Sequence, residues 1–100
     1  MQLYFVEYSK KHLDDLMSKY SSGVKAKSPR SAATKIARYL KRKFSDKRAT
    51  FEISKGPGKL RWQVETNIVK LKPPFQVVER NGTEFEIKTS VEVNLERVSS

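Results

Sequence analysis

Residues 25–48 read KAKSPRSAATKIARYLKRKFSDKR, and the rest of the chain is organised around this stretch. It holds ten of the 21 lysines and arginines and a single acid, Asp46, so it carries +9 of the formal net charge of +10. The remaining residues hold eleven cations and ten acids, which nearly cancel. Because the charge is gathered in one block, the sequence predicts a binding surface for an anionic polymer.

The same stretch predicts a long helix with a defined start. Ser28 is a typical N-cap, and Pro29 suits the first helical position because its missing N–H costs nothing there. Apolar residues recur at three- and four-residue spacing and form one stripe, which consists of Ala32, Ala33, Ile36, Ala37, Leu40 and Phe44. Small alanines in this stripe predict close packing against a sheet, which leaves a basic face in solvent.

Length and composition predict one small packed domain. One hundred residues with 37% hydrophobic and 32% charged side chains favour a folded domain over disorder. We expect residues 1–98 to form a single nucleic-acid-binding domain and residues 99–100 to be a frayed end. With no cysteine, no long apolar run and no signal pattern, the chain is expected to be intracellular and DNA-associated, in a nucleoid, nucleus or virion core.

The N-terminal segment predicts one strand and one short helix. Residues 2–8 have high β-propensity and are apolar on both faces, which is typical of a central strand. Residues 9–20 predict a helix capped by Ser9. His12 has too few potential ligands around it for a metal site, so we expect it to be a surface residue.

A hairpin is predicted directly after the basic helix. Residues 49–54 and 60–66 both read as strands, and Gly56-Pro57-Gly58 between them is a strong turn signal. The turn places Lys55 and Lys59 at the hairpin tip. Trp62 is in register with the apolar residues of its strand, which predicts a core or half-core position.

The C-terminal third predicts further antiparallel strands. Pro73-Pro74 ends the preceding strand, and Asn81-Gly82 is a strong hairpin signal because both residues tolerate positive φ. Residues 85–95 alternate strictly, so we expect one continuous strand with an apolar inner face and a mostly acidic outer face. The predicted fold class is therefore α+β: a curled antiparallel sheet or pseudo-barrel with one long basic helix packed across it.

The sequence gives little support for catalysis. It has one histidine, no cysteine and no glycine-rich phosphate loop. The neighbouring acids Asp14 and Asp15, and likewise Glu84 and Glu86, fit ordinary solvent-facing patterns rather than a metal-binding cleft. We expect a protein that is not an enzyme, with no catalytic residues, no metal, no cofactor and no small-molecule substrate.

The segment SPRSAATK at residues 28–35 resembles the Pro-Arg/Lys-x-Ala-Ala-x-Lys helix of the small monomeric chromosomal protein of methanogenic archaea and its relatives in large eukaryotic DNA viruses. In that family a strand, a basic glycine-containing hairpin, an aromatic-bearing strand, a proline-containing connection and a glycine-turn hairpin follow. Residues 51–71, Pro73-Pro74 and residues 81–93 have this order, so the resemblance covers roughly residues 25–95. Residues 9–20 depart from the family, whose archaeal members have a short strand pair there.

The resemblance implies a compact pseudo-barrel that binds and bends duplex DNA without strict sequence preference. It implies DNA contacts, by position, for Arg30, Lys35, Lys55, Lys59, Arg61 and Trp62. The charge pattern of the block adds Lys27, Arg38 and Arg42 as phosphate contacts, and Pro57 is a candidate apolar wedge between base steps.

Two other classes of function remain open from the sequence. An RNA-binding or ribosome-associated protein shares the basic charge and the α+β pattern. A protein adaptor in a virion or scaffold, with the basic helix docked on an acidic partner, is the second. Membrane binding is disfavoured because the helix has no bulky apolar stripe left for lipid. We expect a monomer or a weak dimer.

Overall fold

The fold was obtained as a computed structural model, which describes residues 1–56 and 60–98. The chain forms, in order, β1 (Gln2–Ser9), α1 (Leu13–Lys19), β2 (Val24–Ala26), α2 (Pro29–Phe44), β3 (Arg48–Lys55), β4 (Leu60–Lys70), β5 (Gln76–Arg80), β6 (Thr83–Ile87) and β7 (Thr89–Val98). Five strands make one antiparallel sheet in the order β2-β1-β3-β4-β7, and β5 pairs with β6 separately.

The sheet is curled into a half-barrel with α2 packed on its concave face. This confirms the predicted α+β class and the helix across an antiparallel sheet. The core joins both layers and includes Tyr4, Val6, Ala32, Ala33, Ile36, Leu40, Phe51, Ile53 and Val64. As its two apolar faces predicted, β1 is an interior strand, flanked by β2 and β3.

Helix α2 begins where the sequence predicts. The Ser28 hydroxyl accepts a hydrogen bond from the Ser31 N–H at 3.1 Å, and Pro29 occupies the first turn. Ala32 and Ala33 are completely buried, so the helix backbone lies close to the sheet. The predicted apolar stripe is confirmed except at its end, since Phe44 is half-buried.

Replacing Ala33 with leucine should destabilise the fold by about 1–3 kcal/mol, because the three added carbons have no room between helix and sheet. The free energy of unfolding, measured by urea titration, tests this. Arg38→Leu is the matched control, since Arg38 is exposed on the same helix and should change stability by no more than about 0.5 kcal/mol. Equal stability of the two variants would contradict close packing at Ala33.

The segment between β1 and α2 differs from its prediction. Helix α1 spans Leu13–Lys19 and not residues 9–20, and its N-cap is His12, with a left-handed backbone at φ 60°. Ser9 does not cap it: Ser9 is the buried last residue of β1, and its hydroxyl donates to the carbonyl of Lys11 at 2.5 Å. Strand β2 was not predicted, because three residues are too few to show a period.

The strand predicted over residues 85–95 is in fact two strands in two sheets. It is interrupted at Lys88, between β6 and β7. Phe85, expected to face inward, is 51% exposed. Where β7 continues, Val91, Val93 and Leu95 do face the core side, opposite Ile68, Thr66 and Val64 respectively. The turn prediction at Asn81-Gly82 is confirmed, with φ of 51° and 77°.

Residues 69–90 form a two-stranded extension that we call the arm. Strand β3 pairs with β4 as far as Asn67, and the Ile68 N–H still donates to the Lys47 carbonyl at 2.8 Å. From Val69 onward β4 pairs with β7. The Leu71 N–H then donates to the Lys88 carbonyl at 2.8 Å, and β5 and β6 follow after Pro73-Pro74. The prolines end β4 as predicted.

Candidate nucleic-acid interface

The solvent face of α2 carries most of the predicted phosphate contacts. Arg30, Lys35, Arg38 and Arg42 are all exposed, and Lys27 is exposed just before the helix. Lys35, Arg38 and Arg42 are separated by three and four residues, so they lie along one stripe. The local sequence is sufficient for this arrangement, because the alanine stripe fixes which side of the helix is buried.

Two of these cations connect α2 to the edges of the half-barrel. The Arg30 Nη1 donates to the carbonyl of Val93 on β7 at 2.8 Å, and the Lys35 Nζ donates to the carbonyl of Lys25 on β2 at 2.5 Å. Strands β7 and β2 are the two edges of the five-stranded sheet. The helix therefore bridges the open side of the half-barrel, and these two cations help to orient it.

Arg38 and Arg42 are the cations of α2 with the greatest freedom to bind a partner. The ion pairs formed by the described residues involve His12, Lys43 and Arg61. Arg38 and Arg42 belong to none of these pairs, and both side chains are exposed. Their guanidinium groups can form bidentate hydrogen bonds to phosphate.

The β3–β4 hairpin contributes Lys55 to the same end of the sheet as β2. Tyr4 is opposite Lys55 on one side and opposite Val24 on the other. Two strand spacings separate Lys55 from Val24, which places their Cα atoms roughly 10 Å apart. The neighbouring Lys25 carbonyl is the one that binds Lys35. Pro57 and Lys59, also predicted to contact DNA, lie outside the described residues.

Arg61 and Trp62 point to opposite faces of the sheet, as adjacent strand residues do. Arg61 lies on the convex face and forms an ion pair with Glu52 at 3.2 Å. Trp62 lies on the concave side, where it is half-buried with its ring centroid 6.1 Å from that of Tyr4. The half-core position of Trp62 is confirmed. The structure does not bring Arg61 together with α2.

The convex face of the sheet is acidic. The strand register and alternation place five glutamates there, namely Glu7, Glu52, Glu65, Glu92 and Glu96. The same register places three cations on this face, Lys25, Arg48 and Arg61, so glutamates outnumber cations by five to three. This agrees with the acidic outer face predicted for the last strand. Since α2 covers the concave face, its cations and these glutamates lie on opposite sides of the molecule. The α2 side is therefore the more favourable side for a polyanion to approach.

A polar cluster joins α1 to the C-terminal part of α2. The Asp15 carboxylate accepts hydrogen bonds from the Lys43 ammonium, at 2.5 Å, and from the Tyr39 hydroxyl. The Lys43 contact, followed by the Tyr39 hydrogen bond, lowers the pKa of Asp15 from its ordinary 3.8. The same contact raises the pKa of Lys43. Lys43 is therefore engaged within the fold and is a poorer candidate for phosphate binding than Arg42.

Acid should weaken this cluster. Because the pKa of Asp15 is lower in the folded chain, its contribution to stability is present above 3.8 and is lost as the pH falls through the lowered value. We expect Asp15→Asn to lower stability at neutral pH and to reduce the loss of stability on acidification, measured by urea titrations from neutral pH downward. Asp14→Asn, at the exposed neighbouring position, is the control. Parallel pH profiles for Asp15→Asn and the unmodified chain would contradict this role.

His12 is half-buried rather than a free surface residue. Its ring stacks on Phe44 at a centroid distance of 3.6 Å, and its Nε2 lies 2.8 Å from the Asp46 carboxylate. A cleft of about 260 Å³ adjoins this contact and is lined in part by Lys10, Lys11 and Arg48. Sequence reasoning missed Lys10 and Lys11 as candidate phosphate contacts, because they lie outside the basic block and only the fold brings them beside it.

The described residues contain no cluster of three or more His, Asp or Glu side chains placed to hold a metal ion. Within the same residues, none of the helices is both long and apolar enough to cross a membrane. Comparisons with protein-family models, curated proteins and solved structures found no match to this chain.

Proposed function

We propose that this protein binds duplex DNA without sequence specificity and compacts or bends it, acting as an architectural DNA-binding protein. The observation that carries the proposal is charge segregation. Residues 25–48 hold nearly all the net charge, and α2 carries six of the ten cations of this block, away from the glutamates of the convex face. Cations gathered on one face are the electrostatic footprint of a nucleic-acid-binding domain.

Phosphate contacts would dominate the affinity. Arg38 and Arg42 form the centre of the surface, with Lys27, Arg30 and Lys35 beside them on the N-terminal side. If about five phosphates are neutralised, the logarithm of the binding constant falls by about 4.5 for each tenfold increase in salt. Sequence preference would come mainly from how easily a given duplex deforms.

The β3–β4 hairpin is the proposed second contact. Lys55 lies at the same end of the sheet as β2, whose Lys25 carbonyl binds Lys35 of α2, and Pro57 and Lys59 follow Lys55 in the sequence. In this proposal Pro57 inserts between base steps and bends the duplex, as apolar side chains of architectural proteins do. The resemblance to the archaeal chromosomal protein supports this assignment and adds Trp62, on the concave side, as a candidate contact. It also implies Arg61, which would reach DNA only from the convex face and after leaving its ion pair with Glu52.

Binding titrations across salt test the proposal. Fluorescence anisotropy should be measured with a labelled duplex, a single strand of the same sequence and a structured RNA. We expect the tightest binding to the duplex, little difference between sequences and a steep salt dependence. Micromolar or weaker binding to all three at low salt would overturn the proposal. A strong preference for RNA would favour the RNA-binding alternative.

Nuclease treatment distinguishes the adaptor alternative from DNA binding. If the basic helix docks on an acidic protein, a complex captured from cells will survive nuclease and will be lost on Arg38→Glu. For a DNA-associated intracellular protein, nuclease should release the captured material. Bending is tested independently by energy transfer between dyes at the two ends of a short duplex, which should increase on binding.

A further inference from the structure

The distal part of the arm is a two-stranded ribbon that has little to pack against. Strands β5 and β6 pair only with each other, and among the described residues their extensive packing is also only with each other. Isolated two-stranded hairpins are marginally stable in water. Val77 and Phe85 are nevertheless 54% and 51% exposed. Such a ribbon gains stability when a partner covers one of its faces.

One face of this ribbon is acidic. Val77 is directly opposite Glu86, and Glu79 is directly opposite Glu84, so these four side chains share a face. All four residues are exposed. Like charges directly across a strand pair are destabilising, and the partner that best relieves this repulsion is cationic.

None of the ion pairs of the described residues involves a cation of the arm, where the cations are Lys70, Lys72, Arg80 and Lys88. Arg80 is opposite Thr83 and lies on the other side of the ribbon, with Val78 and Phe85. The Lys88 ammonium lies 5.9 Å from the centroid of the Phe75 ring. The acidic face is therefore available to a partner from outside the ribbon.

We propose that the acidic face of the arm docks on the Arg38–Arg42 stripe of α2 in a second copy of this chain. Arg38 and Arg42 are one helical turn apart, about 6 Å along the helix axis. Glu84 and Glu86 are separated by about 7 Å along β6, so the two charge pairs match in spacing. The aliphatic part of the arginine side chains would cover the exposed Val77.

The occupant is a second copy because the chain holds both complementary surfaces but does not join them internally. Two copies can exchange arms reciprocally and close into a dimer. Alternatively, they can repeat the contact in one direction and form a chain. Either arrangement uses arginines that the proposed function assigns to phosphate, so DNA and self-association would compete for them.

Sedimentation velocity of nuclease-treated protein at low and high salt tests the proposal in the absence of nucleic acid. We expect self-association at low salt that high salt suppresses. Glu84→Lys/Glu86→Lys and Arg38→Glu/Arg42→Glu should each weaken it by about 100-fold, because like charges would meet. Mixing the two variants should restore it, since each reversed surface then meets its complement. A misfolded variant cannot produce this restoration.

A convex-face variant, Glu92→Lys/Glu96→Lys, is the matched control, because it makes the same change in net charge on a different acidic surface. It should associate as the unmodified chain does. Sedimentation as a monomer at all concentrations at low salt would overturn the proposal. Loss of association in the control variant alone would also overturn it. So would a result in which Phe85→Ser abolishes association while Glu84→Lys/Glu86→Lys leaves it unchanged. DNA titrations are separate, so either proposal can fail without the other.

Discussion

Replacing Arg38 and Arg42 together with glutamate is expected to lower duplex DNA affinity by about 100-fold at low salt and to flatten the salt dependence. The loss of two phosphate contacts should reduce the slope of log K against log salt by about 1.8, and the new carboxylates repel the backbone. Neither side chain supports the fold, since both are exposed and outside the ion pairs of the described residues. Anisotropy titrations at several salt concentrations measure both effects.

The control variant makes the same change in net charge at a different place on the surface. Lys72 lies in the arm and Arg97 near the end of β7, and both are exposed. We expect Lys72→Glu/Arg97→Glu to change the salt slope much less than the α2 variant. If both variants weaken binding equally, net charge alone governs the interaction and α2 is not the binding surface. Circular dichroism verifies that each variant is folded.

Replacing Phe51 with alanine is expected to cost about 3–5 kcal/mol of stability, the range for truncation of a buried phenylalanine. Phe51 is fully buried and stands opposite Val64 of β4, directly beneath α2 in the shared core. The cost is large beside the total stability of roughly 5–15 kcal/mol that small domains have. A urea titration followed by Trp62 fluorescence gives the free energy of unfolding.

Phe85 provides the matched control for Phe51. Both are phenylalanines in strands, but Phe85 is 51% exposed in the arm. We expect Phe85→Ala to cost no more than about 1 kcal/mol, since little apolar area leaves the core. A comparable loss in both variants would place Phe85 in the core, as its alternating sequence pattern predicted. The pair of variants therefore also tests whether the arm lies outside the main hydrophobic core.

The parts of the fold that were predicted correctly are those with local signals. Helix α2 has a cap, a proline at its first position and an apolar stripe, all within seventeen residues. The interruption at Lys88 has no signal in its own strand, where residues continue to alternate. Its cause is on the paired segment, where Pro73-Pro74 lacks N–H donors and the ladder cannot continue. A break that the paired strand imposes cannot be predicted from the alternation of residues in the interrupted strand alone.

The candidate site likewise has a part that local sequence predicts and a part that it does not. The exposure of Arg38 and Arg42 follows from the helix pattern alone. The partners of Arg30 and Arg61 cannot be predicted from local sequence. Val93 is 63 positions from Arg30 in the chain, and Glu52 comes close to Arg61 only because of the strand register. Sequence predicts which cations lie on a helix face, while pairing across the sheet decides which of them are already engaged.

The contacts of Arg30 and Lys35 with the edge strands also bear on aggregation. Each side chain donates to a main-chain carbonyl on an outer strand of the half-barrel, on β7 and on β2. An unprotected strand edge is a template for strands of other molecules. Undocking of α2 would free one carbonyl on each edge, so we expect a chain with an undocked helix to be more prone to strand addition.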